Sequence, residues 1–291
     1  MSLVYRIFAI LAAFVALFKP AFAGQPEPWQ IWHQVPGSDM MARIEWFDLY
    51  TLWFIVPITL LVFALLLIVM VRFNRKANPQ PSRTSHNTLI EVIWTVGPIV
   101  VLVAIAIPSF DLLDRQLAPE EQPEMTVKAT GYQWYWGYEY QDGDEISFDS
   151  IMLREGDFED AGKTDKSMYP RLLAVDNEMV VPVDTMVRVL VTGADVIHNF
   201  AMPSLGLKID GIPGRLNETW FKAEREGLYY GQCSELCGRD HAFMPIAIRV
   251  VSQSQFDSWK SAAAYDLEGA NKALMAEVDR ADDKIKLAEN E

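Results

Sequence analysis

The sequence predicts a two-helix transmembrane hairpin, then an all-β domain outside the cytoplasm, then a charged helical tail. Three observations predict it. Two long uncharged apolar runs lie before residue 111, a period-two apolar pattern begins near residue 120, and the chain turns alanine- and charge-rich after Val251.

Residues 1–23 read as a secretory signal. Arg6 supplies the basic n-region, Ile7–Phe18 the apolar stretch, and Ala21-Phe22-Ala23 a small-residue cleavage site. The apolar run is too short for an N-terminal membrane anchor, the alternative reading. Removal would take away Arg6 and Lys19 and no acid, moving the formal charge from −14 to −16. Residues 24–46 follow as a periplasmic N-terminal segment.

Tyr50–Val71 gives 22 residues without a charge and Val92–Phe110 gives 19. At about 1.5 Å per residue, each can span a hydrocarbon core of about 30 Å. Pro57, Pro98 and Pro108 do not argue against this, because neighbouring groups in a membrane bundle satisfy the freed backbone. The hairpin is expected over 47–111, with helices over about 47–71 and 92–110. Its connecting loop carries Arg72, Arg75, Lys76 and Arg83 with no acid before Glu91, so the loop faces the cytoplasm. Both flanks then lie outside, in the periplasm of a bacterial inner membrane, in agreement with the signal sequence.

In 120–262, Met125, Val127 and Ala129 alternate with polar residues, as do Val187, Val189 and Val191, and Ile246, Ile248 and Val250. Short runs at Arg171–Val175, Leu228–Gln232 and Pro245–Val251, punctuated by Gly, Pro, Asp and Asn, add further strands. Such a series predicts a β-sandwich or barrel. The acidic stretch Arg154–Tyr169 reads as a loop inserted between strands, and the chain after Val251 as a surface helix and then a frayed tail, with 263–291 as the charged helical tail.

A net charge of −14 excludes nucleic acid as a partner, since phosphate binding needs a basic face. The only cysteines are Cys233 and Cys237, which rules out a disulfide framework and a C-x-x-C-H haem attachment. Both lie in Gly231–Pro245 (GQCSELCGRDHAFMP), where His241 and Met244 follow closely. His198 stands 35 residues before Cys233, beside an expected strand. Thiolates, imidazoles and a thioether form a soft ligand set of the copper type. Two cysteines spaced C-x-x-x-C can bridge a metal pair. A periplasmic disulfide would leave the histidines and Met244 unexplained, and a Cys₂His₂ zinc site would leave Met244 idle. Alone, Met244 would read as ordinary β-core.

The stretches Asp195–Asp210 (DVIHNFAMPSLGLKID), Ile212–Asn217 (IPGRLN) and Gly131–Tyr140 (GYQWYWGYEY) join the cysteine loop in resembling subunit II of haem–copper cytochrome c oxidases of the bacterial, aa3-like kind. The resemblance covers roughly residues 40–260. It implies a cupredoxin fold and a dinuclear copper centre, CuA, bridged by Cys233 and Cys237. His198 and His241 would complete one copper each, with Met244 axial and Glu235 giving its backbone carbonyl. It further implies that the Glu235 side chain reaches Mg or Mn at the interface with subunit I. Cytochrome c is the implied donor, Trp134 the indole where its electron enters, and Glu139, Asp176 and Asp195 the acids of the docking face. Read singly, these acids are solvated side chains, and the aromatics around Trp134 are packing groups.

Glu91 has two readings. With Thr88 it makes a T-x-x-E capping box. The resemblance instead sets a carboxylate here near a proton pathway in subunit I, and both roles are carried. The oxygen-reducing haem–copper site needs more histidines than this chain has, so haem is expected only in subunit I, alongside further oxidase subunits. The expected function is to pass electrons from cytochrome c to that haem, for oxygen reduction coupled to proton translocation. A copper-lacking quinol oxidase subunit would not need the intact ligand set. Nitrous-oxide reductase would need a second large copper domain, and a storage or signalling cupredoxin would not need the hairpin.

Overall fold

The structure, a computed structural model, describes residues 24–119, 121–143 and 146–288, so the signal sequence expected over 1–23 lies outside it. The chain divides into two compact units, residues 42–118 and the remainder.

The smaller unit contains most of α1 (Asp39–Arg72) and all of α2 (Thr88–Leu117). Both helices are long and apolar enough to cross a membrane, and none of either apolar window is buried by protein. They outrun their apolar segments at all four ends, by a single residue at Arg72, because polar turns outside the hydrocarbon can still complete helical hydrogen bonds. Tyr50 donates to the Ala104 carbonyl at 3.1 Å, one polar tie between the helices. The cap of α2 differs from expectation. Asn87, not Thr88, is the N-cap: its side chain accepts from the Ile90 N–H, while Glu91 accepts from the Asn87 N–H, each at 3.3 Å. Asn caps as well as Thr, and a cap one residue earlier leaves Thr88 free to be helical.

The larger unit is a sandwich of two five-stranded sheets. One runs β3-β2-β1-β5-β8, from β1 (Met125–Tyr132), β2 (Tyr135–Tyr140), β3 (Ser147–Ser150), β5 (Met186–Gly193) and β8 (Asn217–Lys222). The other runs β4-β10-β9-β6-β7, from β4 (Met179–Pro182), β6 (His198–Met202), β7 (Leu207–Gly211), β9 (Gly227–Cys233) and β10 (Pro245–Val251). Both sheets mix parallel and antiparallel pairs: β1 lies parallel to β5, and β4 parallel to β10. The alternating residues read from the sequence, including Val127, Ala129, Val189, Ile246 and Ile248, are buried between the sheets. Tyr140 spans them, its hydroxyl donating to the Val180 carbonyl and accepting the Val180 N–H, both at 2.8 Å. This is the cupredoxin-like architecture the resemblance implied.

Two details depart from expectation, and a third adds to it. Arg171–Val175 is a turn rather than a strand: Leu172 has φ of 73°, outside the β region, and only Val175 makes a bridge, to Met152. The charged tail is two helices, α3 (Gln253–Ala263) and α4 (Leu267–Ala288). Phe256, Trp259, Ala270 and Leu274 bury its first part against the sandwich, so what composition offered as a surface helix is anchored by burial. The acidic insertion is likewise packed. Leu153, Tyr169, Ala174 and Val175 meet Leu228, Tyr230 and Ala247 in a second apolar cluster on the outer face of β9 and β10.

A buried ionic cluster pins that insertion. Glu178 accepts from Lys163 at 2.7 Å and from Arg249 at 2.8 Å, and Arg249 also donates to the Tyr169 hydroxyl at 3.0 Å. Burial alone would raise the Glu178 carboxyl, but the two cations hold it down at about 2. Its contribution is therefore complete above the ordinary value of 4.5 and is lost as pH falls toward 2. Glu178→Gln should cost about 3–5 kcal/mol by leaving two buried cations without their anion. Thermal unfolding at neutral pH checks this, and a loss under about 1 kcal/mol, the size of a surface pair, would contradict it.

Candidate metal centre

The site lies at one end of the larger unit, where β6 and β9 run antiparallel and Phe200 pairs with Cys233. His198 opens β6, and Cys233 closes β9. The chain then loops through Cys237 and a 3-10 turn at His241–Phe243 before Met244 leads into β10. The two strands and the loop thus deliver all the candidate donors to one place.

Their separations are short. Cys233 Sγ lies 3.9 Å from Cys237 Sγ, 3.9 Å from His198 Nδ1 and 3.3 Å from the Glu235 carbonyl oxygen. Cys237 Sγ lies 3.5 Å from both His241 Nδ1 and Met244 Sδ. The ligand atoms of His198, Cys233 and Cys237 fall within 4.8 Å of one another, and all three residues are buried. The thiols are free, far beyond the roughly 2.05 Å of a disulfide bond, so the disulfide reading finds no support. Two thiols, two imidazoles, a thioether and a carbonyl facing one small volume fit soft, copper-type metal chemistry.

Electrostatics divide the two thiols. Burial raises Cys233, but hydrogen bonds from His198 and nearby backbone bring it below the ordinary thiol range. Burial and the neighbouring Cys233 charge together push Cys237 up. A cation that binds both sulfurs must therefore displace the proton that Cys237 holds.

Two glycines make room. A Cβ at Gly131 would stand 2.7 Å from His198 Cγ, so only glycine lets β1 approach the imidazole. Gly238 has φ of 126°, and a Cβ there would stand 3.0 Å from the Trp134 ring. Trp136 is fully buried and packs edge-on against Phe200 at 5.2 Å and His198 at 6.0 Å.

The chain matches the family model of the cytochrome c oxidase subunit II periplasmic domain over residues 125–251 and that of its transmembrane domain over 26–112. It is 46% identical over 276 residues to the probable cytochrome c oxidase subunit 2 of Rickettsia felis, covering 94% of this chain and 84% of that one. The chain belongs to the cytochrome c oxidase subunit II family. Cytochrome c oxidase subunit 2 of Cereibacter sphaeroides is 45% identical over 271 residues, 88% of each chain. The crystallised periplasmic domain of subunit II from Bradyrhizobium japonicum shares 59% identity over 49% of this chain and 95% of its own, with a TM-score of 0.44. Subunit II is part of an oxidoreductase complex, and this one lies in the bacterial inner membrane with its β domain in the periplasm. The family carries CuA, and the His198, Cys233 and Cys237 cluster fits such a site.

The remaining candidates of this subunit II fall in different places. Trp134 sits in the turn between β1 and β2, not in a strand, and is half-buried. Its indole N–H donates to the Cys237 carbonyl at 3.3 Å, and the Gln133 side chain donates to the same oxygen at 2.7 Å. One ring face lies under the Arg239 guanidinium, 5.6 Å from the centroid, and the indole also walls a cavity of about 470 Å³ with Leu153, Leu172 and Phe243. The Glu235 side chain is exposed. Glu139 is paired with Lys128 at 2.7 Å. Asp176 accepts the backbone N–H groups of Ile151 and Asn177, each at 2.7 Å, and burial raises its carboxyl. Asp195 turns inward, 2.8 Å from His198 Nε2. Sequence reasoning missed Gly131, Gln133 and Arg239. Gly131 and Gln133 stand inside the GYQWYWGYEY stretch, but which neighbour each would meet was not readable there.

Cys233→Ser or Cys237→Ser should abolish copper binding as a dinuclear unit, since a hydroxyl does not replace a bridging thiolate. Metal analysis with electron-spin resonance of the purified oxidase checks this; a parent-like dinuclear signal in either variant would contradict it.

Proposed function

We propose that this subunit takes electrons from a cytochrome c at a dinuclear copper centre held by Cys233, Cys237, His198, His241, Met244 and the Glu235 carbonyl. One observation carries the reading: Cys237 Sγ has His241 Nδ1 and Met244 Sδ at 3.5 Å, and Cys233 Sγ, 3.9 Å from it, has His198 Nδ1 at 3.9 Å and the Glu235 carbonyl at 3.3 Å. Two sulfurs thus stand between two sets of terminal donors, the disposition a metal pair requires. When bound, the dinuclear copper supplies a one-electron relay whose charge is shared over two metals and two thiolates. The chain's own residues keep that place dry and rigid: Cys233, Cys237, His198 and Met244 are all buried, on or beside packed strands. Rigidity matters because electron transfer is fast when little reorganises.

Trp134 is the proposed electron-accepting residue at the surface. Its hydrogen bond to the Cys237 carbonyl gives a short through-bond route from the indole to a sulfur donor. Glu139, Asp176 and Asp195 are proposed to steer the donor by charge rather than by contact. Each has at least one oxygen engaged inside the domain, yet an engaged carboxylate keeps its charge, and steering acts at a distance. Glu139 contributes least, being neutralised by Lys128. Trp134→Phe should keep the fold and the copper centre but slow reduction by cytochrome c by orders of magnitude. Flash-initiated reduction measures it, and a near-parent rate with the donor bound would move the electron's path elsewhere.

Two further carboxylates carry finer proposals. The Glu235 side chain, exposed while its carbonyl faces Cys233, is free to reach a Mg or Mn ion shared with subunit I. Glu91 holds the start of α2 and is proposed to take protons near a pathway in subunit I. Glu235→Gln should lower bound Mg or Mn with copper retained. Glu91→Gln should slow turnover while leaving reduction by cytochrome c alone, because Gln serves equally as a cap. Parent metal content in the first, or parent turnover in the second, would reduce each residue to its structural part.

A further inference from the structure

Asp195 makes contacts that docking alone leaves unexplained. It lies between the end of β5 and the start of β6, and its carboxylate has three partners, all within the domain. One oxygen accepts the backbone N–H of Gln133 at 2.8 Å. The other accepts the backbone N–H of Val196 at 2.7 Å and stands 2.8 Å from His198 Nε2. Of the two His198 ring nitrogens, Nδ1 is the one that faces Cys233.

An imidazole that gives Nδ1 to a metal must keep its proton on Nε2, and that N–H then needs an acceptor. The His198 ring is fully buried, so bulk water cannot serve, whereas Asp195 is in place and 35% exposed. Gln133 in turn belongs to the tight turn that carries Trp134 and is tied to the Cys237 carbonyl through its side chain. One carboxylate therefore joins the backbone that aims the indole to the imidazole that faces the sulfurs.

We infer that Asp195 is a positioning residue of the metal centre, fixing the tautomer and orientation of His198 and the Gln133–Trp134 turn with a single carboxylate. This rests on the reading of His198 as a copper ligand. The two oxygens have separate duties: Oδ1 orients the ring, and Oδ2 holds the turn. Asparagine keeps the shape but loses the charge and brings an NH₂ group, so either the Gln133 N–H or the Val196 and His198 N–H groups would face a donor instead of an acceptor. Alanine removes both ties.

The test uses the assembled oxidase carrying Asp195→Asn, Asp195→Ala, or Glu139→Gln as a comparison that removes one acidic charge away from His198. Copper loss to a chelator, the electron-spin-resonance pattern of the copper centre, and the salt dependence of turnover are read together. Both Asp195 variants should alter the resonance pattern and weaken copper retention by roughly 10–100-fold, the usual effect of removing an outer-shell partner. Glu139→Gln should leave the pattern and the retention at parent values. Parent resonance and parent retention in Asp195→Asn, with only the salt dependence changed, would overturn the inference and leave Asp195 a docking charge. Should the alanine variant fail to assemble, the near-isosteric asparagine variant decides. A parent oxidase that showed no dinuclear copper signal would instead overturn the copper reading, which separates the two failures.

Discussion

The metal end of the larger unit depends on the antiparallel pairing of β6 with β9. That pairing sets Phe200 opposite Cys233, and so brings His198 beside a cysteine 35 residues away in sequence. Cys237, His241 and Met244 lie on one short loop and would be close to Cys233 in almost any fold. His198 would not. Register is decisive here, because a slip of one residue turns every side chain of a strand to the other face and would take the imidazole out of the site. The register is held by the inward residues of both sheets, with Trp136 wedged against Phe200 and His198. Packing in the sandwich core and geometry at the sulfurs are thus one constraint.

A second constraint acts on the opposite face of the same sheet. β10 is buried along its whole length, on both faces, whereas a strand of a simple sandwich would leave its outer face to solvent. The insertion over 154–169 covers it, and Lys163, Glu178 and Arg249 lock the cover down. Replacing such a cluster with apolar groups often costs nothing, so its value lies elsewhere than in net stability. Two cations sharing one carboxylate specify a single placement of the insertion. That placement puts Leu153 and Leu172 beside Trp134, and so shapes the surface around the indole.

The acids illustrate how charge and contact separate. Glu139, Asp176 and Asp195 each satisfy partners inside the domain, so none presents a free carboxylate. In the proposed docking role, their field would act on a basic partner across the solvent, subject to screening over about 8–10 Å at ordinary ionic strength. A residue can therefore serve the encounter through its charge and the site through its hydrogen bonds, and Asp195 is placed for both.

The sequence by itself determined the hairpin, its orientation, the β character of the domain and the candidate donors of the cysteine loop, since each depends on local pattern. Uncharged length, loop charge, period-two burial and the C-x-x-x-C spacing with His241 and Met244 need no knowledge of the rest of the chain. Local pattern failed where a distant partner decided the outcome. Arg171–Val175 has strand composition but turns at Leu172 to pack under the insertion. The tail helices looked like surface but bury Phe256, Trp259 and Leu274. Which of Trp134 and Trp136 would pack, which neighbours fill the space beside Gly131, and which groups the acids bind were settled only in three dimensions. Contacts between residues such as Asp195 and Gln133, 62 apart in sequence, depend on strand register, and no periodicity along the chain records that.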